Sequence, residues 1–130
     1  MKFLVSTLIL ALALSACATT HNPRYRINEI VINNNTRETV REVTIRADNR
    51  LFSCGNIAPH GICANRYAGY VNQTSLVDVE WTLGSDAPRS KHLEVTVPAT
   101  FTIGRTLRGI IEIQPQGGID VHFRQDSPIP

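Results

Sequence analysis

The chain has little of what most protein chemistry needs. Charged residues make up 18% of it and aromatics 6%, with a single tryptophan. Beyond Met1 there is no methionine, which argues against a copper-handling surface built from thioethers. Beyond Lys2 the only lysine is Lys91, and the arginines are scattered, with no run of five or six like charges. That distribution argues against a dedicated nucleic-acid surface. Trp81, Tyr25, Tyr67, Tyr70, Phe52, Phe101 and Phe123 suffice for one small core and are too few for a stacking platform. There is no G-x-S-x-G, no H-E-x-x-H and no glycine-rich phosphate loop, so no catalytic constellation presents itself and the chain reads as non-enzymatic. No internal repeat or low-complexity tract occurs. No stretch after residue 16 shows helical periodicity.

What is present begins at the N-terminus, MKFLVSTLILALALSACATT. Lys2 precedes a nearly unbroken apolar run from Phe3 to Leu14. A permanent bilayer-spanning helix needs roughly 20 residues, so this run is too short. The layout is that of a secretory signal peptide, to be set aside before the fold is considered. Leu14-Ser15-Ala16-Cys17 then resembles the lipobox of bacterial lipoprotein precursors. The resemblance covers the leader and its cleavage site only. It implies diacylglycerol on the Cys17 sulfur, cleavage between Ala16 and Cys17, and a fatty acid on the new amino group. One acyl chain binds a membrane marginally, whereas two or three anchor stably. Ala18, not aspartate, follows Cys17. In Gram-negative members that pattern implies the outer membrane, so the expected location is the cell envelope, lipid-anchored and facing the periplasm.

Removing residues 1–16 takes Lys2 with it and leaves twelve basic against eleven acidic residues, a net charge of about +1. It also resolves the cysteine count. With Cys17 given to lipid, Cys54 and Cys63 remain as an even pair, in a compartment where such pairs oxidise. Pro59 and Gly61 between them let the chain turn back. A structural disulfide is the favoured reading. A zinc site from Cys54, His60 and Cys63 lacks a clear fourth ligand. A redox pair would be spaced C-x-x-C.

Residues 17–26 read as the lipidated cysteine and a short tether, in which Arg24 and Arg26 are solvated or touch anionic headgroups. Residues 27–125 alternate with period two. Ile30 and Ile32 oppose Glu29 and Val31; Val43, Ile45 and Ala47 share a face; Val77, Val79, Trp81 and Leu83 oppose Asp78, Glu80 and Thr82. Further strands are expected at 51–54, 93–97, 101–103, 111–113 and 119–123, with 67–70 irregular or a strand edge. Turn signals recur about every ten residues. The pattern predicts an all-β fold, a small antiparallel Ig-like β-sandwich of about seven strands, followed by a loose tail at 126–130. Immunoglobulin domains place tryptophan between distant cysteines; here the cysteines are close and Trp81 follows both, so the bond is expected to pin a loop or strand end.

The candidate contact surface is the loop bounded by Cys54 and Cys63, with Ile57, His60 and Ile62; the alternative is that these isoleucines pack beneath it. His21, His60, His92 and His122 hold a metal ion only if two of them meet across a sheet, so no metal ligand and no cofactor is assigned. Asp78 and Glu80 share a face, where cross-strand pairing with arginine is favoured over carboxylate catalysis. Asn34-Asn35-Thr36 and Asn72-Gln73-Thr74 match the glycosylation sequon, a match expected to be chance. Two functions follow as expectations. One is a lipid-anchored binding or assembly module with the membrane and an envelope protein as partners and no nucleic acid. The other is a periplasmic metal-binding protein using surface histidines.

Overall fold

The alternation is realised as eight strands in a computed structural model that describes residues 24–125. They are β1 (Arg24–Asn34), β2 (Val40–Ala47), β3 (Arg50–Ile57), β4 (Ile62–Asn72), β5 (Thr74–Leu83), β6 (Arg89–Thr96), β7 (Leu107–Ile113) and β8 (Ile119–Gln125). Two four-stranded sheets, ordered β4-β1-β7-β8 and β3-β2-β5-β6, enclose one apolar core. The fold is therefore the expected β-sandwich. Its strand order differs from that of immunoglobulin domains, in which the first and second strands are neighbours. The leader, Cys17, His21 and the 126–130 tail lie outside the described residues.

Among the described residues, the buried core is contributed by the eight strands and the link that follows β6. Val43, Ile45, Val79, Leu107, Ile111 and Ile113 fill its centre, each almost or wholly removed from water. Burying such a side chain stabilises by roughly 1.5–3 kcal/mol. The chain enters at the start of β1, and strand direction then fixes two ends. The entry end carries the 48–49 turn, Gln73 and the 97–106 link; the far end carries residues 35–39, 58–61, 84–88 and 114–118. Asp48 and Asn49 both have positive φ, 46° and 65°, as a two-residue hairpin turn matched to strand twist requires.

Four expectations are corrected. Residues 24–26, expected as tether, are part of β1: Tyr25 is only 2% exposed and belongs to the core. A register shift between Ile27 and Glu29 explains this, because it changes the inward set from Tyr25 and Ile27 to Ile30, Ile32 and Asn34. Residues 67–70 belong to β4, a full edge strand paired with β1. No strand forms at 101–103, where the Phe101 N–H bonds the Pro98 carbonyl at 3.0 Å and closes a turn. The sandwich is not wholly antiparallel. β1 and β7 both start at the entry end and lie side by side, so that pair is parallel.

Candidate functional site

Cys54 and Cys63 form the expected disulfide, with Cα atoms 6.0 Å apart. Its place differs from the expectation of a pinned loop. Cys54 is on β3 and Cys63 on β4, the edge strands of opposite sheets, so the bond ties the two sheets together along one side. The Asn65 amide donates to both sulfurs, at 3.3 Å to Cys54 and 3.6 Å to Cys63.

The candidate contact loop is divided by the same corner. Ile57 is 3% exposed and packs in the core, whereas Ile62 is 68% exposed. Between them residues 58–61 form one tight turn, closed by the Gly61 N–H on the Ala58 carbonyl at 2.8 Å. Pro59 and His60 are its central residues, and His60 has φ of 58°. Proline first and positive φ second is the pattern of a type II turn. A Cβ at Gly61 would stand 2.8 Å from the Ala58 carbonyl oxygen, so the turn accepts only glycine there without shifting. The surface left for contact is Ile62 and the His60 ring, without Ile57.

Behind this turn lies a buried polar centre that the sequence reading treated only as a turn and a sequon. Asn34 is 0% exposed. Its Nδ2 donates to the carbonyls of Glu38 (2.8 Å), Ile57 (3.0 Å) and Ala58 (3.0 Å). Its Oδ1 accepts from the Thr36 N–H (3.0 Å) and hydroxyl (2.7 Å). One side chain thereby fixes the β1–β2 crossing against the β3–β4 corner. Asn34 is not an accessible glycosylation acceptor, since its amide is enclosed and fully bonded.

The histidines do not gather. His92 on β6 meets Asp78 on β5, its cross-strand partner, through Nδ1. His122 on β8 lies 4.0 Å from Glu112 on β7, in the other sheet, and His60 is at the far end. Among the described residues no three His, Cys, Asp or Glu side chains converge as metal ligands would. Asp78 and Glu80 line a shallow depression of about 240 Å³ with Arg46 and His92.

A second concavity, of about 650 Å³, lies at the entry end where β4 meets the β2–β3 hairpin. Arg24, Arg46 and Arg50 line it, with Tyr67 and Tyr70, and the carboxylates of Asp48 and Asp78 line it too. The Arg50 guanidinium sits 4.7 Å from the Tyr67 ring centre and donates to the Ala68 carbonyl at 3.2 Å. The Arg24 guanidinium is 5.5 Å from the Tyr70 ring centre. Stacking on aromatic faces orients these cations while leaving N–H donors for an anion. No described carboxylate forms an ion pair with any of the three. The arginines come from three strands and two sheets, so no run of sequence announces the cluster.

No protein-family model matches the chain, and no curated protein matches it in sequence. Among solved structures it is similar to the NMR structure of a protein from Eubacterium rectale, with a TM-score of 0.47 and 16% identity. That similarity covers 80% of this chain and 94% of the other.

Proposed function

We propose that the protein is a bacterial cell-envelope lipoprotein, a non-enzymatic binding or assembly module held to the membrane by lipid on Cys17. The observation that carries this reading is the fate of the three cysteines. Cys54 and Cys63 are consumed by one another, which leaves Cys17 as the one remaining thiol, at the end of an apolar leader and inside LSAC. The disulfide also suits an oxidising compartment outside the cytoplasm. Six residues separate Cys17 from Arg24, and the seven steps between them reach at most about 25 Å, so the sandwich rides close to its anchor. Holding a small domain at a surface raises its effective concentration for partners there, a gain that needs no catalytic group. The reading includes the outer membrane and a periplasm-facing domain, from Ala18 after Cys17.

The test is metabolic labelling with radioactive palmitate in a bacterial host. The wild type is expected to incorporate label, and Cys17→Ala to lose it completely while still being synthesised. Undiminished labelling of Cys17→Ala removes the basis for the reading.

A further inference from the structure

The net charge of the mature chain is close to zero, yet the fold separates its charges. Arg24 and Arg26 open β1, Arg50 opens β3, and Arg124 stands one residue from the end of β8. Arg24, Arg26 and Arg50 therefore lie on the rim of the entry end, and Arg46, Arg108 and Arg124 lie just inside it. Among the described residues the acidic ones at this end are Asp48 in the turn, Glu29, Asp78 and Glu94. Glu29 is already engaged by Arg108, 3.0 Å away, and Asp78 by His92. No described carboxylate forms an ion pair with Arg24, Arg26, Arg46, Arg50 or Arg124.

The far end has the opposite balance. Glu38, Glu42, Asp86, Glu112 and Asp120 gather there. Of its arginines, Arg89 is held by Asp86 at 3.1 Å and Arg41 by the Gly84 carbonyl at 2.7 Å. Exposed apolar side chains follow the arginines. Among the described residues, Leu51, Tyr70, Leu76 and Ile103 all stand at or near the entry end, while Ile62 marks the far end. Basic groups interleaved with exposed apolar and tyrosyl side chains are the composition of surfaces that lie on anionic bilayers.

We propose that the entry end of the sandwich is a docking surface for anionic phospholipid headgroups, seating the domain end-down on the leaflet that carries its anchor. This rests on the lipoprotein reading for its setting and on charge complementarity for its occupant. The short tether leaves from the same end, so anchor and docking surface act in one direction. The acidic far end, with the Ala58–Gly61 turn and exposed Ile62, then points away from the membrane toward partners.

The experiment uses residues 18–130, which lack the leader and Cys17 but hold the whole described fold. The protein is sedimented with vesicles of phosphatidylcholine alone or with phosphatidylglycerol added. Binding is expected only when phosphatidylglycerol is present, and to weaken several-fold when salt is raised from 0.05 to 0.3 M. Each arginine at an anionic surface contributes about five-fold, so Arg24→Gln with Arg26→Gln is expected to weaken binding by about twenty-fold. The far-end pair Arg37→Gln with Arg89→Gln is expected to leave it unchanged, and circular dichroism checks that both variants fold. Three results overturn the proposal: no binding to phosphatidylglycerol vesicles, equal binding to phosphatidylcholine, or an equal loss in the far-end pair. Displacement by millimolar inorganic phosphate also overturns it, since that marks a discrete anion pocket. None of these results bears on Cys17 labelling, because that residue is absent from the protein tested.

Discussion

The Asn34 amide directs all its hydrogen bonding inward: Nδ2 to the carbonyls of Glu38, Ile57 and Ala58, Oδ1 to Thr36. A buried polar group left without partners costs about 1–3 kcal/mol. Asn34→Ala would strip partners from several groups at once and is expected to cost about 3 kcal/mol. Asn34→Asp keeps the shape but turns a carboxylate toward three carbonyl oxygens, and is expected to cost at least as much. Urea unfolding checks both; a loss under about 1 kcal/mol for either would mean water replaces the network freely. This residue was not legible as a keystone. In sequence it stands in Asn33-Asn34-Asn35-Thr36, where every residue favours a turn. Only the alternation continued from Ile30 and Ile32 puts Asn34 on the inward face, and a polar residue at the end of a strand is ordinarily read as its exit. Ile57 and Ile62 make the converse case. They are chemically alike, yet one is core and the other solvent-facing, because the Ala58–Gly61 turn reverses the chain between them.

At the scale of elements, the period-two pattern was legible wherever one face meets the core. Val77, Val79, Trp81 and Leu83 are all buried on β5, as their spacing demands. It failed where a register shift resets the period. Carried back from Ile30, the alternation puts Arg26 and Arg24 inside, which is why residues 24–26 read as tether; the shift at Ile27–Glu29 puts Tyr25 inside instead. Pairing between distant segments leaves no local mark, so neither the parallel β1–β7 pair nor the sheet assignment of β3 and β4 could be read. The consequence falls on the disulfide. Closing a loop of about ten residues is worth about 2–3 kcal/mol in the chain-entropy model. The same bond also holds two edge strands of opposite sheets. Cys54→Ser is expected to lower the melting temperature by about 10 °C or more, given 4–8 °C per kcal/mol for domains of this size. Reducing the wild type should reproduce the loss. Equal melting of mutant and oxidised wild type would show that the bond contributes nothing.

For the whole molecule, composition argued against an electrostatic surface, whereas topology gathers arginines at one end. Arginines spread from residue 24 to residue 124 are brought to one end of the sandwich because β1 and β3 begin there and β8 ends there. The proposed leader and lipidated cysteine, by contrast, rest on the sequence alone, since such a signal is read from the extended chain before folding. Together these give one account: lipid at Cys17 fixes the protein in the envelope, and the basic rim orients the sandwich above the leaflet. The central claim is the lipid, and the most direct measurement is the mass of the N-terminal peptide of the protein isolated from the membrane fraction. The account predicts a chain beginning at Cys17 that carries diacylglycerol, with a further acyl group on its amine. A chain beginning at another residue, or at Cys17 without lipid, would contradict it.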